Sequence, residues 1–283
     1  MLKIIMLGKI GIIMYDRIVI LPYKMLSSSA RELQKGLLRY MPNNVIRVYP
    51  DRNYRYKEKD LIINWGSSKL PNWGREDHPF INHPYQVQKT ISKIDTYDIL
   101  IANNIPTVEY TTYFDIAKQW LEEESCIVLG RDLNRGSGGR GIVVYNPSSY
   151  TELEEHIFYT KYIKKMREFR VHLFKSNFLI QEKKRRGREE RDFTLYDPYI
   201  RSYGNEWVYT TPQEEIPSKV LLVAEEALKA LELTFGGVDV IYNEHYGEAY
   251  VLEVNTACGL GQGNNQTLDF YCNNILTFRD GVE

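Results

Sequence analysis

Two carboxylates and a carboxamide stand near the end of the chain at a spacing that could hold a hard cation. Asp239 lies in Thr234-Phe235-Gly236-Gly237-Val238-Asp239-Val240-Ile241-Tyr242, and Glu253 and Asn255 lie in Tyr250-Val251-Leu252-Glu253-Val254-Asn255-Thr256-Ala257-Cys258-Gly259. Both halves are β-branched and apolar with turn formers beside them, which predicts two strands joined by a turn over 243–247. Side chains alternate along a strand, so Glu253 and Asn255 share one face while Leu252 and Val254 take the other. Asp239, set among valines, can join the polar face. Acids flanked by buried residues cost free energy unless a cation compensates. Oxygen ligands suit a hard divalent ion, of which Mg²⁺ with a polyphosphate is the commonest case. An exposed sheet face with ordinary acids would read the same way locally, so the rest of the chain decides.

A second stretch capable of chemistry runs over 126–145: Cys-Ile-Val-Leu-Gly-Arg-Asp-Leu-Asn-Arg-Gly-Ser-Gly-Gly-Arg-Gly-Ile-Val-Val-Tyr. It predicts a strand, a glycine-rich loop and a second strand. Glycines let backbone N–H groups approach an anion closely. Arg131, Arg135 and Arg140 add positive charge. The loop is not a Walker loop, since no Gly-Lys-Ser/Thr follows and no helix opens after it, and a following strand excludes the dinucleotide fingerprint. A phosphate-covering flap is favoured over a plain mobile hairpin.

Positioning these groups needs a sizeable scaffold, and 283 residues provide one large or two to three small domains. Lysine plus arginine is 36 against 37 acids, a formal net charge of -1 that argues against bulk electrostatic binding of nucleic acid. Cys126, Cys258 and Cys272 form neither a disulfide framework nor a CxxC pair, which fits a reducing cytoplasm. Residues 1–21 are apolar but broken by Lys3, Lys9, Asp16 and Arg17, too broken to span a membrane, and they lack a signal-peptide cleavage site. Two early strands are expected there.

In chain order, a strand at 17–21 precedes a helix opened by the capping-box pattern Ser29-Ala30-Arg31-Glu32, with Leu26, Ala30, Leu33 and Leu37 at helical spacing. Strands follow at 45–49 and 60–65, giving a small α/β domain over 1–84. Trp65, at a strand end, reads as packing rather than substrate contact. Residues 85–103 predict one helix, 107–110 a strand, 114–124 a helix, and 148–157 another. Residues 168–174 and 178–184 are paired strands. The mixed-charge run 183–192 reads as a solvated loop, with a nucleic-acid patch over 183–191 as the minority reading. A strand at 207–209, a helix capped by Ser218 and a short helix at 267–275 complete the pattern.

This order of parts resembles the ATP-grasp superfamily of carboxylate–amine ligases, most closely its RimK-like branch, over residues 85–265. The resemblance implies an α/β (α+β) fold: a small N-terminal α/β domain, then a two-lobed ATP-binding region over 85–283 whose lid subdomain, about 107–160, carries the glycine-rich β-hairpin flap. Gly237-Val238-Asp239-Val240 matches the family's Gly-Val-Asp strand and Glu253-Val254-Asn255 its Glu-Val-Asn. Asp239 would then bind one Mg²⁺, Glu253 bridge two, and Asn255 hold the second, with Mn²⁺ as an alternative. Lys93 matches the helix lysine that reaches the α-phosphate. Gly136, Ser137, Gly138 and Gly139 match the flap over the β- and γ-phosphates. Thr160, Lys161, Tyr162 and Ile163 match the adenine-binding hinge, whose backbone reads the amine edge while Ile163 packs on the ring. Glu168 falls where the family keeps an acid for the ribose. Arg170 and Lys183 are placed for phosphate or acyl phosphate.

Two positions depart from the pattern. Arg131 stands where a lysine is usual and binds phosphate as a fork rather than a point. Cys258-Gly259 stands where Pro-Gly is frequent, with Cys258 read as a small filler rather than a reactive thiol. The implied activity is ATP-dependent ligation of a carboxylate and an amine (amino acid, peptide or modified nucleotide) through an acyl phosphate. Residues 183–212, with Arg201, Tyr203 and Trp207, would line the acceptor side. A homodimer is compatible with such folds. Alternatives from other classes are a nucleotide-binding or nucleic-acid-associated protein without ligation, and a kinase on the same scaffold.

Overall fold

Alternating runs of β-branched residues and amphipathic helices organise the chain into three sheets among the residues described by the computed structural model, which are 14–135, 138–149, 152–164, 167–187, 189, 192–195, 197–260 and 265–281. The first sheet is parallel. β1 (Arg17–Pro22) lies between β2 (Val45–Arg47) and β3 (Asp60–Trp65), and β4 (Phe80–Ile81) pairs with β3. β1 and β3 are almost continuously apolar, as strands covered on both faces must be. Helix α1 (Ser28–Leu38) returns the chain between β1 and β2. Its cap is Ser27, whose Oγ accepts from Ala30 N at 3.3 Å, and not the expected Ser29. Ser29 instead accepts from Trp65 Nε1 at 2.9 Å, and Trp65 is fully buried against Phe235, as its packing role required.

The expected single helix over 85–103 is two: α2 (Pro84–Ile91) and α3 (Lys93–Ala102). Ser92 adopts an extended conformation between them, with φ −88° and ψ 125°, and caps α3 by accepting from Asp95 N at 3.1 Å. The break makes Lys93 the first residue of a helix.

The second sheet lies in the segment expected to form the lid. β5 (Tyr110–Thr111), α4 (Phe114–Glu122), β6 (Val128–Arg131), β7 (Ile142–Tyr145) and β8 (Phe158–Lys161) give the antiparallel order β5-β8-β6-β7. β6 and β7 are the hairpin expected around the glycine-rich loop, of which Gly136 and Ser137 lie outside the described residues. The expected helix at 148–157 does not form among the described residues. The Tyr159 hydroxyl accepts from His156 N at 2.9 Å and donates to Glu154 O at 3.0 Å, taking backbone groups that a helix would need. Leu153 is buried against Trp120 and Tyr145 in the lid core.

The third sheet carries the acids. β9 (Arg167–Phe174), β10 (Asn177–Arg185), β11 (Trp207–Thr210), β12 (Phe235–Asn243) and β13 (Glu248–Asn255) are antiparallel in the order β11-β10-β9-β12-β13. Helix α5 (Ser218–Ala230) packs beneath it through Val220, Val223, Ala224 and Ala227. Its N-cap is Pro217 without a side-chain bond, rather than Ser218. The C-terminal helix α6 (Asn265–Arg279) covers the other end and joins the core of the first sheet through Leu268, Tyr271 and Ile275. The run 183–192 is not a solvated loop at its start: Lys183, Lys184 and Arg185 pair with Tyr209, Val208 and Trp207 in the β10–β11 ladder. No described helix is long and apolar enough to cross a membrane.

Candidate active site

Strand pairing sets the acids opposite one another. Asp239 on β12 is the cross-strand partner of Glu253 on β13, Gly237 is that of Asn255, and Arg170 on β9 is that of Asp239 on its other side. One row across the sheet therefore reads Gln181, Arg170, Asp239, Glu253. The register shifts after Asp239, where Val240 pairs with Val251, leaving Leu252 as the extra residue of a β-bulge. Bulges re-aim side chains. Leu252, expected on the face with Val254, instead joins Tyr97, Val108 and Ile163 at the cleft, while Val254 stays in the core above α5.

Every acid in this row is offset by a cation. Arg170 Nε and Nη2 donate to the two Asp239 oxygens at 2.6 and 2.7 Å, a bidentate pair. Lys93 Nζ donates to Glu253 Oε2 at 2.5 Å. Lys183 Nζ donates to Glu168 Oε1 at 2.5 Å and to Arg201 O at 2.9 Å. The Tyr209 ring carries the Arg170 guanidinium at 4.5 Å and the Lys183 ammonium at 4.9 Å. Burial works against ionisation of Glu253, but the Lys93 ammonium and its hydrogen bond overcome it and hold the carboxyl down to about 2. At Asp239 burial dominates and lifts the carboxyl above its ordinary value, opposed by Arg170.

The donor set fits a hard cation. No group of three or more His, Cys, Asp and Glu able to hold a metal occurs among the described residues, so the set here is two acids and an amide. Asn255 Nδ2 donates to Glu253 Oε1 at 3.0 Å, so the carboxamide oxygen is the atom of Asn255 that could face a cation. Arg170 and Lys93 already balance the charge that a divalent ion would balance.

These groups line a cleft of about 1150 Å³ beneath the lid, together with Arg131, Gly138, Gly139, Lys161, Tyr162 and Ile163. All the site residues expected from sequence that fall within the described residues meet here. Arg131 donates from Nε to Thr160 Oγ1 at 3.3 Å. The Lys161 ammonium turns to Glu109 and Glu124 at 2.8 Å each, so its contribution to the cleft is main chain. Glu168, expected at the ribose, holds Lys183 and is buried. Arg201, Tyr203 and Trp207 line the far side, where Arg201 stacks on Trp207 at 4.5 Å.

Sequence reasoning missed several participants. Tyr97 buries its ring and donates to Leu252 O at 3.1 Å, fixing the bulge. His172, 1 % exposed, lies beneath Arg170 between Tyr271 Oη at 3.0 Å and Gln181 Oε1 at 3.2 Å. A neutral ring that donates from Nε2 and accepts at Nδ1 satisfies both contacts. Cys258 fills space under Gly237: a Cβ there would come within 2.6 Å of its Sγ. Burial raises the thiol pKa, as befits a filler. The alternation of β9 and β11 was the only signal for His172 and Tyr209.

No family model and no curated protein matches the chain. Solved structures do. D-alanyl-alanine synthetase A from Vibrio cholerae O1 biovar eltor matches with a TM-score of 0.67 at 16% identity, over 95% of this chain and 99% of that one. The ATP-grasp ligase PsnB, complexed with a phosphomimetic variant of its minimal precursor, Mg and ADP, matches at 0.64 and 13%, over 93% and 98%. A RimK-domain ATP-grasp protein from Sphaerobacter thermophilus matches at 0.59 and 12%, over 94% and 98%. Coverage near the full length of both chains includes the parallel sheet, the lid and the acid-bearing sheet alike, and on that likeness the chain has the ATP-grasp fold.

Proposed function

We propose that the protein is a RimK-like, ATP-dependent carboxylate–amine ligase that forms an amide through an acyl phosphate. The observation that carries this reading is the facing pair Asp239 and Glu253, with Asn255 beside them, set before Lys93 and Arg131 in a lidded cleft. In this reading residues 1–84 form the leading domain and 85–283 the catalytic region, with the lid over about 107–160.

Asp239, Glu253 and Asn255 would hold Mg²⁺, two ions as the resemblance implies. The metal would neutralise charge on the polyphosphate. Lys93 and Arg131 bind phosphate, and the glycine-rich loop covers it with backbone N–H groups. Val108, Ile163 and Leu252 offer an apolar slot for adenine beside the main chain of Lys161 and Tyr162. The acceptor carboxylate attacks the γ-phosphorus and ADP leaves. The amine then attacks the acyl carbon, releasing inorganic phosphate and a proton. Arg170 and Lys183, braced on Tyr209, supply positive charge for the transferred group. Closure of the lid excludes water, which would hydrolyse an acyl phosphate.

The test is ADP release with Mg·ATP against pools of acids and amines, with intact-mass analysis of products. Release that needs both an acid and an amine, with a product lighter than their sum by one water, supports ligation. ADP with a stable phosphorylated product and no amine requirement would make the protein a kinase instead.

A further inference from the structure

The first turn of α3 draws its hydrogen bonds from the flap. Lys93 N donates to Asn134 O at 3.1 Å and Ile94 N to Asn134 Oδ1 at 3.2 Å. Asn134 Nδ2 in turn donates to Ser92 Oγ at 3.0 Å, and that same oxygen caps Asp95 N. A helix leaves its first N–H groups without partners inside itself. Here two of them, including that of Lys93, are satisfied by a residue 40 or more positions away, at the root of the glycine-rich loop. The flap is closed in this arrangement: Gly139 lies against Ile200, and Asn146 Nδ2 donates to Tyr199 Oη at 3.2 Å.

We propose that Asn134 is a positioning residue that acts through Lys93, making the placement of the Lys93 ammonium conditional on flap closure. The inference rests on the reading of Lys93 as a phosphate-binding residue. When the flap lifts, Asn134 leaves with it, and the N–H groups of Lys93 and Ile94 pass to water. The break at Ser92 separates α3 from α2, so this turn has no preceding helix to stiffen it. Its order therefore depends on the capping contacts from Asn134 and Ser92. The coupling is reciprocal: a phosphate that holds Lys93 in place also favours the closed flap. An asparagine serves here because it accepts with its side-chain oxygen and donates with its amide at once.

Two measurements test this. Residue-resolved amide hydrogen exchange on the nucleotide-free protein compares the wild type with Asn134→Ala and Asn134→Asp. Asn134→Ala is expected to speed exchange of the Ile94 amide about tenfold and that of Lys93, whose acceptor is the Asn134 main-chain oxygen that alanine keeps, by less, while Val238 in β12 keeps its rate. Asn134→Asp retains the acceptor for Ile94 and falls between. The second measurement is the Kd of Mg·ATP in a double-mutant cycle with Lys93→Met. Asn134→Ala is expected to weaken binding about tenfold alone and less than about twofold when Lys93 is already gone. Unchanged exchange at Ile94, or equal weakening in both backgrounds, would overturn the proposal. Faster exchange in Asn134→Ala from a wild type that binds no Mg·ATP would leave the latch standing and defeat the nucleotide reading instead.

Discussion

Lys93 and Glu253 stand 160 positions apart in sequence and meet in a 2.5 Å ion pair that joins the start of α3 to the last strand of the acid-bearing sheet. The pair holds Glu253 ionised against burial, which alone would raise its carboxyl. The ammonium that neutralises the acid is also the one assigned to the nucleotide, so ligand binding exchanges partners rather than creating charge.

Removing that ammonium strands a carboxylate. Lys93→Met is expected to destabilise the protein by about 2–3 kcal/mol, at or below the low end for a broken buried pair because Glu253 keeps a quarter of its side chain exposed. Urea unfolding measures this. Mg²⁺ should recover part of the loss in the variant if the ion binds Glu253, seen as a rise in its unfolding midpoint.

Acid should weaken the fold through His172. Burial, followed by the nearby Arg170 charge, lowers its pKa from 6.5 to about 3. The unfolded chain binds a proton below 6.5 that the folded protein refuses until about 3, so stability falls with pH across that window, by about 1 kcal/mol per unit. Glu253, depressed from 4.5 to about 2, adds to the loss below 4.5. His172→Gln keeps hydrogen-bonding capacity and removes the titration. Its urea midpoint should be flatter than the wild type's between pH 6.5 and pH 5.

Gly139 meets the segment after β10 where no side chain fits. Its φ is +75°, and an added Cβ would come within 2.3 Å of Ile200 Cγ2. Gly139→Ala should cut turnover at least about tenfold while shifting global stability by about 1 kcal/mol or less, because the flap tip bears little of the core. Adding Ile200→Ala removes the clash but not the left-handed strain, so recovery should be partial. Steady-state ADP release and thermal melts separate the two effects.

Thiol chemistry should be confined to Cys126. Cys258 is 1 % exposed with its pKa raised by burial, and burial pushes Cys272 up to about 12. A thiol-disulfide dye should titrate one thiol in the native protein and three in urea. Fast loss of activity through Cys258 modification would contradict its role as filler.

Much of the site was legible because strand alternation is local. Glu253 and Asn255 declare a shared face from spacing alone, Asp239 on the neighbouring strand can join it, and the glycine-rich stretch declares a hairpin by having strands on both sides. What was not legible depends on distant partners. The local signal at Ser92 is slight: Ser92-Lys93-Ile94-Asp95 has the spacing of a helix cap, but no glycine or proline stands there, and the break is sustained by Asn134 from the flap. Residues 154–156 lose their helix to the hydroxyl of Tyr159. The charged residues from Lys183 look solvated until β11, more than 20 residues later, supplies Tyr209 and Trp207 to pair with them. The Leu252 bulge is invisible to a period-of-two reading because it interrupts that period.

On the proposed function, Asp239 and Glu253 hold the metal that brings ATP to this cleft. Calorimetric titration of ATP, with and without Mg²⁺, into the wild type and the variant Asp239→Asn, Glu253→Gln addresses it most directly. Mg²⁺-dependent binding is expected for the wild type, and a loss of about 100-fold or more in the variant, with the fold retained by circular dichroism. Equal affinity in the two proteins, or binding indifferent to Mg²⁺, would contradict it.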